Sequence, residues 1–142
     1  MSDNRMHVEF LSLSQNEGLA RAVAAAFVSQ LNPTIEELSD IRTAVSEAVT
    51  NAIIHGYESG PGSVSMDCAL EGDRFTVTVT DRGAGIANVE LARQSFYTTR
   101  PELERSGMGF TVMEAFMDEV RVTSKPGEGT VVEMEKRIAR RA

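Results

Sequence analysis

The chain has 142 residues and a formal net charge of −7, which argues against a nucleic-acid-binding surface, because such a surface normally carries a basic stripe. Its longest apolar runs are far too short to span a bilayer, its N-terminus lacks the apolar core of a signal peptide, and its single cysteine, Cys68, excludes an internal disulfide. We therefore expect one cytoplasmic domain over residues 1–142, with a basic tail at 137–142 and no contact with nucleic acid or membrane.

The first half of the chain predicts one strand and two helices. Alternation of apolar residues predicts a strand over 6–13, and an Ala-rich stretch predicts a helix over 16–31 that an Asn-Pro pair stops. Thr34 followed by Glu37 has the spacing of a capping box. A second, long helix is therefore expected to begin there and to end at Gly56.

The second half predicts four strands and one helix. Period-two alternation places the strands at residues 64–70, 75–79, 119–124 and 130–134. A pair of glycines opens a helix that ends at Phe116, and the stretch 88–106 before it has weak periodicity. The order β-α-α-β-β-α-β-β predicts a two-layer α/β sandwich, with a mixed sheet and the helices on one face.

One side of the second predicted helix is polar although its neighbours are apolar. Glu47, Asn51 and His55 are four residues apart, so they share one helix face. A carboxylate, an amide and an imidazole beside a core indicate either the wall of a polar cavity or a half-exposed polar edge. This stretch alone leaves both interpretations open.

Two glycine motifs add candidate ligand contacts. Asp81-x-Gly83-x-Gly85 directly follows a predicted strand; its glycines permit close backbone approach, and its aspartate can accept a hydrogen bond from an amine. An ordinary strand-ending turn explains the same pattern equally well. Gly107-x-Gly109 precedes a helix, whose free N–H groups and positive dipole end favour phosphate.

The best-known nucleotide and metal signatures are absent from this sequence. There is no P-loop, no dinucleotide-binding glycine unit, no protein-kinase motif set and no zinc-ligand spacing. Taken in order, however, the Glu47-x-x-x-Asn51 pair, the two glycine motifs and Gly129-Thr130 resemble the Bergerat motifs. These motifs define the ATP-binding fold (the GHKL superfamily) of gyrase, Hsp90, histidine kinases and MutL.

Within that superfamily, the phrases VSEAVTNAIIHGY and TTRPELERSGMGFTVMEAFMDEV resemble the anti-sigma factor F family of spore-forming bacteria. The resemblance extends from about Met6 to Met134. It implies an ATP-dependent protein serine kinase that binds and inhibits a sigma factor during sporulation. It also implies a homodimer that grips one sigma subunit and phosphorylates a serine of an anti-anti-sigma protein.

The resemblance implies a role for each matching residue. Asn51 matches the ligand of a Mg²⁺ ion that bridges the phosphates, Glu47 the general base, Asp81 the aspartate that binds the adenine amino group, and Thr130 a threonine near adenine that acts through water. The glycines at positions 83, 85, 107 and 109 match the two glycine motifs: Gly83 and Gly85 let the backbone approach the nucleotide, whereas Gly107 and Gly109 direct N–H groups towards phosphate.

The same resemblance makes residues 88–106 a lid over ATP. Thr98 and Thr99 would help to shape its phosphate end, and Arg105 would contact the γ-phosphate unless it pairs with a neighbouring glutamate. Arg21, on the first predicted helix, is either a contact for the protein partner or a solvated arginine.

Several alternatives remain open at this point. The chain could be a nucleotide-gated sigma-binding module without turnover, or one of the related anti-sigma kinases of the general stress response. A histidine-kinase core is disfavoured because no room remains for a phospho-accepting dimerisation domain, and neither His7 nor His55 has a suitable helical setting. A gyrase-like ATPase is disfavoured by length.

Overall fold

A computed structural model describes residues 3–56, 61–83 and 109–139. In chain order, its elements are β1 (Asn4–Leu11), α1 (Gln15–Val28), a 3₁₀ turn (Ser29–Leu31), α2 (Ile35–Gly56), β2 (Ser63–Glu71), β3 (Arg74–Asp81), α3 (Gly109–Phe116), β4 (Glu119–Lys125) and β5 (Gly129–Arg137). Each described element lies close to its predicted position.

The five strands form one sheet in the order β1-β2-β3-β5-β4, and all four neighbouring pairs are antiparallel. The two-layer α/β class is confirmed, but the predicted mixed sheet is wrong. Helices α1 and α2 form a hairpin that returns the chain to the end of β1, so β2 runs back along it. The link after β3 makes β4 parallel to β3, but β5 inserts between these two strands and separates them.

The start of the long helix, and the end of the turn before it, follow the predicted chemistry. The Thr34 N–H donates to Glu37 Oε1 at 2.8 Å, and the Glu37 N–H donates to Thr34 Oγ1 at 3.0 Å. These reciprocal bonds confirm the capping box. Asn32, at the end of the preceding 3₁₀ turn, has a φ of 52°, a left-handed conformation that asparagine tolerates and that stops the helix.

The core lies between the helices and one face of the sheet. Alternate residues of β2 and β3 point into it, while α2 contributes a continuous apolar face. Fully buried members include Val64, Met66, Leu70, Phe75, Val77, Ile41, Val45 and Val49. Cys68 is 1% exposed on the same face of β2 as Met66 and Leu70, and burial raises the pKa of its thiol to about 12.

The C-terminal end of β5 is fastened to α2. The Ala139 N–H donates to Glu37 Oε2 at 3.0 Å, and Ile138 is 2% exposed. Residues 137–139 of the predicted tail are therefore part of the packed domain, and residues 140–142 lie outside the described part. None of the helices in the described ranges is both long enough and apolar enough to cross a membrane.

Candidate functional site

Asp81, the last residue of β3, is a buried carboxylate at the edge of the core. Asp81 is 5% exposed, and its Oδ1 accepts a hydrogen bond from the Gly83 N–H at 3.0 Å. Burying a charged group is unfavourable unless hydrogen bonds compensate. The turn after β3 provides one such bond, and a carboxylate has about four acceptor positions in total.

Strand β5 can lie close to the backbone of Asp81 only because it begins with a glycine, Gly129. Thr130 of β5 pairs with Asp81 in the sheet register. Gly129 has a φ of 96°, and a Cβ built on it would lie 2.1 Å from the Asp81 carbonyl oxygen. Both the backbone conformation and the space exclude any side chain at position 129. Gly129 therefore determines how closely β5 packs against the backbone of Asp81.

The Thr130 hydroxyl is oriented by Ser124 of β4. Ser124 Oγ donates to the Gly129 carbonyl at 2.9 Å and lies 2.8 Å from Thr130 Oγ1. Because a serine hydroxyl has one hydrogen, Thr130 is the donor in the second bond. Its oxygen then presents lone pairs, as Asp81 does. Two neighbouring acceptors form a site that suits a donor such as an amine.

Glu47 and Asn51 lie one helical turn apart on α2, and both are half-buried beside the buried Ala48 and Ala52. Helix α2 packs against β3 and α3, the elements that carry Asp81 and Gly109. Glu47 also lines a surface pocket of about 290 Å³. Glu47 is therefore part of a polar pocket wall, whereas Asn51 is not among the described residues that line this pocket.

The other wall of this pocket includes Arg21 of α1, for which the sequence left open a partner contact or a solvated arginine. The Arg21 side chain is 40% exposed, and its Nε lies 3.6 Å from Glu17 Oε2. The structure thus brings Arg21 and Glu47 together at one pocket. The pocket also includes Arg42, which the sequence analysis did not single out.

Gly109 is the first residue of α3 and is buried. It therefore opens the helix, as predicted for the second glycine motif. The remaining predicted residues, Gly85, Thr98, Thr99, Arg105 and Gly107, lie outside the described residues, as do the lid at 88–106 and the side chain of His55. Their roles stay predictions.

The described residues contain no group of three or more His, Cys, Asp and Glu side chains arranged to hold a metal ion. Mg²⁺ bound with a nucleotide needs no such cage, since phosphates and waters supply most of its oxygen ligands. The half-buried amide of Asn51 is chemically suited to add one. The donor set on α2 therefore fits a magnesium–nucleotide complex better than a free metal site.

Sequence reasoning named Gly129 only as the neighbour of Thr130 in a motif, without its role in the packing of β5. It missed Ser124 of the same corner around Asp81. A glycine that directly precedes a strand residue is the one local sign, but its meaning depends on the pairing of β3 with β5, which are far apart in sequence. Ser124 carries no local sign.

Comparison with known proteins identifies the family of this chain. Residues 11–136 match the family of histidine kinase-like ATPase domains. The chain is 59% identical to the anti-sigma F factor of Anoxybacillus flavithermus, with 96% of this chain and 94% of that protein covered. It is also 59% identical to the anti-sigma F factor of Pasteuria penetrans (97% and 93% covered) and 56% identical to that of Clostridium kluyveri (96% of each).

Among solved structures, the RsbU and RsbW domains of Rv1364c from Mycobacterium tuberculosis share the fold, with a TM-score of 0.70 and 23% identity. The match covers 98% of this chain and 34% of that longer chain. At that identity, the likeness concerns the fold alone. The near full-length matches at higher identity show that this chain belongs to the anti-sigma F factor family and has a histidine kinase-like ATPase domain.

Proposed function

We propose that this protein is an ATP-dependent protein serine kinase that also binds and inhibits a sigma factor. The observation that carries the kinase proposal is the position of Glu47. This carboxylate lies one turn from Asn51 on α2 and lines a pocket that opens to the surface. A base in that position can be reached by a hydroxyl of another protein.

Adenine recognition is assigned to the corner formed by β3 and β5. Asp81 would accept a hydrogen bond from the exocyclic amine of adenine, and Thr130 would accept a second one through water. The orientation of the Thr130 hydroxyl by Ser124 supports this assignment. The glycine at position 83 would let the backbone approach the base, and Gly85 would do the same.

Phosphoryl transfer then depends on positioning and charge rather than on a covalent enzyme intermediate. A serine oxygen of the partner forms a bond to the γ-phosphorus while the bond to the bridging oxygen breaks, and ADP leaves with that electron pair. Glu47 accepts the serine proton, a contribution typically of about 10²–10⁴-fold. When bound, Mg²⁺ neutralises phosphate charge, and Asn51 is its proposed protein ligand. Gly107, Gly109, Thr98, Thr99 and Arg105 are proposed for the phosphate end.

The protein partners are proposed from the family. Its members are named anti-sigma F factors, which supports a sigma factor as one partner, with Arg21 as a candidate contact. The proposed phosphate acceptor is a serine of an anti-anti-sigma protein, and the proposed assembly is a homodimer. Identity of 52–59% to anti-sigma F factors favours the sporulation function over the general stress response.

The direct test incubates the wild-type protein with ATP, Mg²⁺ and the anti-anti-sigma protein of the same organism, and measures the intact mass of that protein. We expect the addition of one phosphate, lost when the acceptor serine is changed to alanine. If the mass does not change while ATP still controls sigma binding, the chain is a nucleotide-gated binding module rather than a kinase.

A further inference from the structure

The pocket beside Glu47 has chemistry of its own. It is lined by six polar residues and by no apolar one: Arg21, Ser39, Arg42, Thr43, Ser46 and Glu47. Five of them belong to α2, and Arg21 reaches it from α1. In a chain with a net charge of −7, two guanidinium groups that converge on one pocket stand out against the general acidity.

Apart from Arg21, the side-chain donors of this pocket are not engaged elsewhere in the described ranges. Arg42 makes no ion pair or side-chain hydrogen bond with any residue in 3–56, 61–83 or 109–139, and the hydroxyls of Ser39, Thr43 and Ser46 make none either. The positions three and four residues away from Arg42 on α2 carry no carboxylate. Arg21, by contrast, has a long contact with Glu17.

Charge and hydrogen-bonding capacity together indicate the ligand class. A guanidinium flanked by hydroxyl donors suits an anion that accepts several hydrogen bonds, such as a carboxylate. Because the pocket is open to the surface, that carboxylate can belong to a side chain of another protein.

The pocket also has a defined position relative to the proposed base. Ser39, Thr43, Glu47 and Asn51 follow one another at intervals of four, so they form one stripe on α2. With about 1.5 Å of rise per residue, Asn51 lies about 6 Å beyond Glu47 along the axis, and Arg42 about 7.5 Å before it. Along the helix axis, Asn51, the proposed contact on the nucleotide side, and Arg42 therefore lie on opposite sides of Glu47.

We propose that this pocket binds an acidic side chain of the phosphate-accepting protein, with Arg42 as its main charge contact. An extended segment rises about 3.3 Å per residue, so the acidic residue lies about two to four positions from the accepting serine. The pocket thereby selects the segment whose hydroxyl reaches Glu47. This inference rests on the proposed kinase function and adds a determinant of substrate choice.

The test is Arg42→Glu, with Arg42→Gln as the milder variant. Arg42 is exposed, so neither change removes core packing. We expect the KM for the anti-anti-sigma protein to rise about tenfold or more in Arg42→Glu, since a like charge now faces the acidic side chain. The kcat at saturating partner and the affinity for ATP should stay at their wild-type values.

Arg5→Glu is the matched control, because Arg5 is also exposed and lies on β1. It makes the same change in net charge away from α2 and should leave the KM unchanged. Replacing acidic residues within four positions of the accepting serine by arginine, one at a time, should identify one change that restores the KM of Arg42→Glu.

The proposal is overturned if Arg42→Glu leaves the KM for the partner unchanged, if Arg5→Glu raises it equally, or if only sigma-factor binding weakens. Partner binding measured in ADP, without turnover, separates this proposal from the proposed function. If the wild type transfers no phosphate, the kinase proposal fails, and a loss of binding in Arg42→Glu still supports the pocket. If the wild type and Arg42→Glu bind the partner equally well, the proposed role of the pocket is rejected.

Discussion

Gly129→Ala should damage both the fold and the proposed nucleotide site, because position 129 has no room for a side chain. The new Cβ would lie 2.1 Å from the Asp81 carbonyl oxygen and 2.6 Å from Arg82 Cα. Ordinary contact begins at about 3.4 Å, so the backbone must move by about 1 Å. Positive φ adds about 1–2 kcal/mol for a non-glycine residue, and overpacking adds about 1–3 kcal/mol. We expect a loss of about 2–5 kcal/mol in the free energy of unfolding.

Gly127→Ala is the control for backbone conformation alone. Gly127 has a φ of 77° in the same β4–β5 turn, and nothing lies within 4 Å of a Cβ built there. It should lose only about 1–2 kcal/mol in urea denaturation. ATP affinity by calorimetry should fall in Gly129→Ala and stay unchanged in Gly127→Ala. Equal stability and equal ATP affinity in the two variants would show that Gly129 does not determine the packing around Asp81.

Three further predictions concern single side chains. Asp81→Asn should weaken ATP binding about tenfold or more while the circular dichroism stays native. The Gly83 N–H holds the amide oxygen, so the NH₂ group faces the adenine amine and two donors oppose each other. Unchanged affinity would remove Asp81 from the site. In a urea titration, Glu37→Ala should lower the free energy of unfolding by about 1–2 kcal/mol, since it removes the capping box and the bond to Ala139. The control Glu36→Ala should change it by less than about 0.5 kcal/mol. Burial raises the pKa of Cys68 from 9.0 to about 12, so the thiol of the unfolded chain ionises at lower pH than that of the folded chain. As the pH rises between these two values, the free energy of unfolding should therefore fall more steeply in the wild type than in Cys68→Val.

Local chemistry made most of the fold predictable. The spacing of Thr34 and Glu37 identified the start of α2, because a capping box is formed within four residues. Alternation identified β2 and β3, because burial on one face of a sheet imposes a period of two. The polar stripe of Glu47 and Asn51 was recognisable because it interrupts an apolar helix.

Non-local pairing limited the rest. The insertion of β5 between β3 and β4 decides that the sheet is antiparallel, and no single segment encodes that order. The contacts of Asp81 with Gly129 and Thr130 likewise depend on two strands about 50 residues apart in the chain. Arg42 was passed over because its surroundings become visible only when α1 packs beside α2.

Glu47 is the proposed base that takes the proton of an incoming serine, and the rate of phosphate transfer by Glu47→Gln measures this role. The substitution keeps size and polarity and removes only basicity. With ATP bound and partner saturating, the rate should fall by about 10²–10⁴-fold, while ATP affinity and nucleotide-dependent sigma binding persist. A transfer rate close to that of the wild type, with ATP binding intact, would show that Glu47 is not the base.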